Sequence, residues 1–151
     1  MFVEYSSVRF SYRPVSSIEL QKRDLTDAMK KDLPRILVVD DEPDMCWALE
    51  NILRPTGYAV TTTLKGLEAL ELLAAEDFAA AFIDAKLPDL DGLELAALIR
   101  QKSPRTIVIL ISGYFYQEDR TISEGLQKGL FAGFVAKPFD LKEIRRIVQQ
   151  I

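Results

Sequence analysis

The segment Ala79-Ala80-Ala81-Phe82-Ile83-Asp84-Ala85-Lys86-Leu87-Pro88-Asp89-Leu90-Asp91-Gly92 constrains this chain more than any other. An apolar run short enough for a buried strand stops on a carboxylate, and a Pro/Asp/Gly-rich turn follows before a helical pattern opens at Leu93. Asp84 is therefore expected where a parallel strand meets its loop, the position at which open α/β sheets bind ligands. Three other segments end the same way. Arg35-Ile36-Leu37-Val38-Val39 runs into Asp40-Asp41-Glu42, Thr106 to Ile111 runs into Ser112-Gly113, and Gly133-Phe134-Val135-Ala136 runs into Lys137-Pro138. If these strands lie parallel in one sheet, acids, a hydroxyl and an amine all emerge at one edge.

Helical patterns fill the intervals. Pro43-Asp44 opens a helix with Met45, Leu49, Ile52 and Leu53 on one face, which stops at Pro55 and Gly57. Cys46 and Trp47 in that helix read as packing residues. Tyr58 to Thr63 is a β-rich second strand, and Gly66 to Ala75 a helix with Leu67, Leu70, Leu73 and Ala74 inward. Further helices are expected over Leu93 to Lys102 and over Gln117 to Lys128, the latter with Ile122 and Leu126 on one face. Asp140 caps a last helix carrying Leu141, Ile144, Ile147, Val148 and Ile151 at helical spacing. Strand and helix alternate five times, which implies right-handed crossovers and an α/β, doubly wound, five-stranded parallel sheet with five helices.

Residues 1–33 break that rhythm and read as an N-terminal extension or arm to a domain over 34–151. Val8-Arg9-Phe10-Ser11-Tyr12 alternates apolar with polar and predicts a short strand, and Ile18, Leu20, Leu25 and Met29 a weak helix. Such a strand, added to an exposed sheet edge, is one route to a homodimer.

Composition closes off several chemistries. The chain has 151 residues, a formal net charge of −4, one cysteine and no histidine. Without histidine, Ser-His-Asp and Cys-His catalysis are impossible, and Cys46 alone makes neither a disulfide nor a multi-cysteine zinc site. The acidic balance argues against direct nucleic-acid binding. No apolar run approaches a membrane span, and Met1-Phe2-Val3-Glu4 does not open a secretory signal, so a cytoplasmic location is expected.

Only a strand order that puts the first strand beside the third gathers Asp40, Asp41 and Asp84, and the flavodoxin-like order 2-1-3-4-5 does so at its switch point. Carboxylates crowded within roughly 4–5 Å repel by a few kcal/mol per pair at an effective dielectric of about 20. All-oxygen ligands suit Mg²⁺ as the neutralising ion. A carboxylate facing such an ion is a nucleophile towards phosphorus when Lys137 and Ser112 disperse the charge on the transferred group. The natural reaction is formation of an aspartyl phosphate.

Leu37-Val38-Val39-Asp40-Asp41-Glu42, Ile83-Asp84 with Leu87-Pro88-Asp89-Leu90-Asp91-Gly92-Leu93, Ile111-Ser112-Gly113 and Lys137-Pro138-Phe139, in that order, resemble the signature of CheY-like response-regulator receiver domains. The resemblance spans about Pro34 to Ile151. It implies that Asp84 is the phosphoacceptor, fed by a sensor histidine kinase or histidine phosphotransfer protein of a bacterial two-component phosphorelay. It implies that Asp40, Asp41, Asp84 and the backbone carbonyl of Lys86 hold Mg²⁺, and that Ser112 and Lys137 grip the phosphoryl group. Ser112 and Phe134 are the implied switch pair, and the Lys137-Pro138 bond is usually cis in the family. Lys86 is a departure that either leans over the phosphoryl group or pairs with Asp89, and Tyr114-Phe115-Tyr116 makes the next loop unusually aromatic.

The chain thus reads as a signalling switch, not an enzyme, controlling a downstream protein target, either standing alone or as the receiver piece of a longer protein. Two other readings stay open. One is a pseudo-receiver that only mediates assembly, the other a Mg²⁺-dependent phosphotransferase working through an aspartyl phosphate.

Overall fold

A computed structural model describes residues 2–5, 8–11, 31–114 and 119–151. The chain forms two compact units, Met1–Asp32 and Leu33–Ile151. In the first, β1 (Phe2–Tyr5) and β2 (Val8–Ser11) pair antiparallel, with Phe2 opposite Ser11 and Tyr5 opposite Val8. The helix expected through Ile18, Leu20, Leu25 and Met29 lies outside the described residues.

The second unit is a parallel sheet of β3 (Arg35–Val39), β4 (Ala59–Thr63), β5 (Ala80–Asp84), β6 (Ile107–Ser112) and β7 (Gly133–Ala136). In space the order is β4-β3-β5-β6-β7. Counted within the sheet this is 2-1-3-4-5, the expected order. Every residue of β5 is buried, as a central parallel strand covered on both faces requires, whereas the edge strands β4 and β7 are only partly so.

The strand period of two sorts the core into two layers. Leu37, Val39, Ala81, Ile83, Val108 and Leu110 point to one face. There they meet α2 (Gly66–Ala75), α3 (Gly92–Lys102) and α4 (Arg120–Gln127) through Ala69, Leu73, Leu95, Ala96, Ile99 and Ile122. Ile36, Val38, Ala80, Phe82, Ile109 and Ile111 point to the other face. On that side lie α1 (Pro43–Leu53) and α5 (Leu141–Val148), through Cys46, Leu49, Leu53, Ile144 and Val148.

Several helix faces differ from the sequence reading. In α2 the inward stripe is Gly66, Ala69, Leu70 and Leu73, while Leu67 is 56% exposed and Ala74 also faces out. The helix uses its smallest residues to approach the core closely: a Cβ on Gly66 would already sit 3.0 Å from the Leu90 Cβ. Trp47 is not a packing residue; at 68% exposure it stands on the outer side of α1, where Cys46 and Leu49 take the buried positions. Leu141 and Leu126 are also exposed, at 42% and 38%, leaving Ile144, Val148 and Ile122 as the buried anchors of the last two helices.

Asp119 and Asp140 cap α4 and α5 by accepting backbone N–H groups of Thr121 (3.0 Å) and Glu143 (2.8 Å). Helix α2 has no cap of its own. Asp89, 23 residues away, supplies it, its two carboxylate oxygens accepting the N–H groups of Gly66 and Leu67 at 2.9 Å each. Those N–H groups, Leu67 first, hold the Asp89 carboxyl below the usual carboxylate range. These bonds tie the β5–α3 loop to the N-terminus of α2.

Candidate functional site

Sheet register brings the polar strand ends together. Val39 pairs with Ile83, so Asp40 and Asp84 leave neighbouring strands side by side. Ser112 pairs with Ala136, and the Lys137 N–H donates to the Ser112 carbonyl at 2.8 Å, so Lys137 leaves β7 pointing to the same edge. The Lys137-Pro138 peptide bond is cis.

Lys137 is the hub. Its Nζ donates to Asp40 Oδ2 at 2.9 Å and to Asp84 Oδ2 at 3.0 Å, and stands 3.6 Å from Glu42 Oε1. The remaining oxygens of the two aspartates face the main chain: Asp40 Oδ1 accepts from the Glu42 N–H (2.9 Å), and Asp84 Oδ1 from the Lys86 N–H (3.1 Å). Asp40, Asp84 and Ser112 are buried, while Asp41 and Glu42 are exposed. The Ser112 Oγ accepts the Tyr114 N–H at 3.0 Å.

Burial pushes the Asp40 carboxyl above its ordinary range, against the Lys137 and Glu42 hydrogen bonds that favour its charged form. For Lys137, burial alone would lower the ammonium's pKa. The hydrogen bonds and negative charges of Asp40 and Asp84 outweigh it and hold the ammonium above the usual lysine range. The site is thus a buried cation clamped between two carboxylates.

The acids present a metal-sized cluster. Asp40, Asp41, Glu42 and Asp84 each offer an oxygen, and these atoms all lie within 4.8 Å of one another. Glu42 is the member that sequence reasoning left out, although its place directly after Asp40-Asp41 signalled it. The cluster opens onto a pocket of about 370 Å³ walled by Leu87, Pro88, Gly113 and Tyr114, with Lys86 and Lys137 as its cations. Phe134 is half-buried against the layer that holds Leu37 and Leu110.

Lys86 does not pair with Asp89, whose oxygens accept N–H groups of α2. Its Nζ sits instead 3.9 Å from the centroid of the Tyr114 ring. Phe115 and Tyr116 lie outside the described residues.

Cys46 borders the site from beneath. Its Sγ donates to the Asp40 carbonyl at 3.3 Å, and burial, with the Asp40 charge second, pushes the thiol up to about 11. Thiol reagents at neutral pH are therefore expected to leave the folded protein unmodified and to label it fully once denatured. Rapid labelling of the native protein would contradict this.

Residues 36–149 match the sequence model of the response regulator receiver domain. The chain is 38% identical over 114 residues to the response regulator protein PilR of Pseudomonas aeruginosa, covering 76% of this chain and 25% of that protein. It is 34% identical over 115 residues to the DNA-binding transcriptional regulator NtrC of Escherichia coli, covering 76% and 24%. It thus spans about a quarter of the length of these curated relatives. Among solved structures, the response regulator protein TrrA of Thermotoga maritima, in complex with Mg(2+)-BeF, superposes with a TM-score of 0.68 at 30% identity, covering 78% of this chain and 98% of that one. A CheY-like response regulator receiver domain protein of Methanospirillum hungatei gives a TM-score of 0.72 at 27% identity, covering 79% and 93%.

Proposed function

Because this chain belongs to the response regulator receiver domain family of two-component systems, we propose that it is a phosphorylatable switch whose acceptor is Asp84. The observation that carries this reading is the clamp of Lys137 Nζ between Asp40 Oδ2 (2.9 Å) and Asp84 Oδ2 (3.0 Å) at the floor of an open pocket. A structural ion pair alone needs no such opening.

In the proposed step, the Asp84 carboxylate attacks the phosphorus of a phosphohistidine on a histidine kinase or histidine phosphotransfer protein. The O–P bond forms as the P–N bond breaks, and the imidazole leaves with the electron pair. The chemistry of the donor set fits a divalent cation: hard carboxylate oxygens, clustered and accessible from one side, suit Mg²⁺. Asp40, Asp41, Asp84 and the Lys86 backbone carbonyl would hold it, with Glu42 beside them. When bound, Mg²⁺ supplies charge neutralisation at the transferring phosphoryl oxygens. Lys137 then passes its Asp84 hydrogen bond to a phosphoryl oxygen, and the Ser112 hydroxyl turns from the Tyr114 N–H to another. Phe134, half-buried on β7 three residues before Lys137, takes up the space the hydroxyl vacates. The changed surface is read by a downstream protein partner.

Incubation with Mg²⁺ and a small phosphodonor such as acetyl phosphate is expected to add the mass of one phosphoryl group. Asp84→Asn or removal of Mg²⁺ is expected to abolish the gain. A folded wild-type protein that takes up no phosphoryl group would favour a pseudo-receiver that mediates assembly. Sustained turnover of a phosphomonoester would favour a phosphotransferase.

A further inference from the structure

The pocket over Asp84 contains one contact that the phosphoacceptor reading does not use. Lys86 and Tyr114 come from different loops, both line the pocket, and the Lys86 ammonium rests 3.9 Å from the Tyr114 ring centroid. Tyr114 is 67% exposed and Lys86 is exposed, so the contact is solvated. The Lys86 main chain is nevertheless fixed beside the acceptor, its N–H donating to Asp84 Oδ1 at 3.1 Å. A long, free side chain is thus anchored two residues from the reacting carboxylate and parked on a π face.

Charge decides where that ammonium goes when Asp84 is modified. Lys137, the other cation lining the pocket among the described residues, already faces carboxylate oxygens of Asp40, Asp84 and Glu42. A phosphoryl group adds nearly two negative charges and three strong acceptor oxygens in the same pocket. An exposed cation–π contact is weaker than a charge-assisted hydrogen bond to such oxygens. Asp89, whose oxygens accept the main-chain N–H groups of Gly66 and Leu67, forms no ion pair with Lys86.

Resting on the reading of Asp84 as phosphoacceptor, we infer that Lys86 and Tyr114 form a charge-triggered exchange pair: the Lys86 ammonium covers the Tyr114 ring while Asp84 is unmodified and moves to the phosphoryl oxygens once it is modified. The ring face left uncovered is then a surface mark of the state of Asp84.

Titration with beryllofluoride in the presence of Mg²⁺, followed by calorimetry, separates the outcomes by a double-mutant cycle. Tyr114→Leu removes the competitor for Lys86, so it is expected to tighten beryllofluoride binding about two- to fivefold, the value of an exposed cation–π contact. Lys86→Met is expected to weaken it. In the Lys86→Met background, Tyr114→Leu is expected to change nothing. The Lys86 ε-methylene protons are expected to carry an upfield ring-current shift in the free protein that disappears at saturation. An equal effect of Tyr114→Leu in both backgrounds would mean that the ring acts only as a wall, and would overturn the exchange. Lack of effect in the wild-type background would also overturn it. Failure of the wild-type protein to bind beryllofluoride at all would instead overturn the phosphoacceptor reading, and the exchange with it. Both positions are exposed, and melting curves without ligand confirm that each variant is folded.

Discussion

Lys137→Met is expected to cost about 3 kcal/mol of stability at neutral pH without metal, and Mg²⁺ is expected to return most of it. The side chain is 14% exposed, and its two hydrogen-bonded partners, Asp40 and Asp84, are 2% and 8% exposed at the side chain. Removing one member of a buried ion pair leaves the other charge uncompensated, typically at about 3–5 kcal/mol. The partial opening of the pocket argues for the low end of that range. The pH dependence gives the sign. Lys137 is held above its ordinary 10.5, so its contribution is fully present below about 10.5 and is lost as pH rises through its higher folded value. Asp40 runs opposite to the usual acid. Its folded pKa is raised by burial above 3.8, so the folded state gains relative stability from its protonation and loses it as pH rises from 3.8 through the folded value. Asp40→Asn is therefore expected to raise the melting temperature at neutral pH without Mg²⁺, to lose that advantage in acid below the ordinary aspartate range, and to lose the stabilisation by Mg²⁺. Urea titrations across pH, with and without Mg²⁺, test all of this. A Lys137→Met deficit independent of both pH and Mg²⁺ would show that the lysine matters only for packing.

Gly92→Ala is expected to be at least as damaging, by about 3 kcal/mol, and here Mg²⁺ is not expected to help. A Cβ at position 92 would lie 2.2 Å from the Asp84 carbonyl oxygen and 2.6 Å from the Ala85 Cα. Both are main-chain atoms of the strand end, so no side chain can rotate out of the way. Overpacking of this kind usually costs about 1–3 kcal/mol, and rigid neighbours place it at the upper end. The contact exists because the 85–91 loop folds back on itself: the Gly92 N–H donates to the Ala85 carbonyl at 2.9 Å, and Lys86 and Asp91 form an isolated bridge. Relief of the clash must move Asp84, so phosphoryl uptake is expected to fall along with stability. A Gly92→Ala protein with wild-type melting and uptake would contradict the close approach.

Much of this architecture was legible because the chain carries it locally. Strands β3, β5 and β6 are contiguous apolar runs that end abruptly on Asp40, Asp84 and Ser112, and a parallel order that joins β3 to β5 leaves those ends little choice of neighbour. What the chain does not carry locally was missed or misplaced. The phase of α2 turns on Gly66 and Ala69, residues whose value lies in being small against Leu90 and the core, and a count of leucines points the stripe the wrong way. Trp47 looks like core by its chemistry, yet Cys46 and Leu49 already fill the side of α1 that meets the sheet. Asp89 caps a helix 23 residues upstream, and Lys86 meets a ring in the next loop but one; neither contact has a fixed sequence spacing to betray it.

The most direct test of the central claim is to locate the phosphoryl group. After treatment with Mg²⁺ and acetyl phosphate, reduction of the acyl phosphate with borohydride converts the modified aspartate to homoserine, which peptide mass spectrometry can place. The account predicts homoserine at position 84, alone among Asp40, Asp41, Asp84, Asp89 and Asp91. Conversion at another of these positions, or at none of them in a protein shown to be folded, would contradict it.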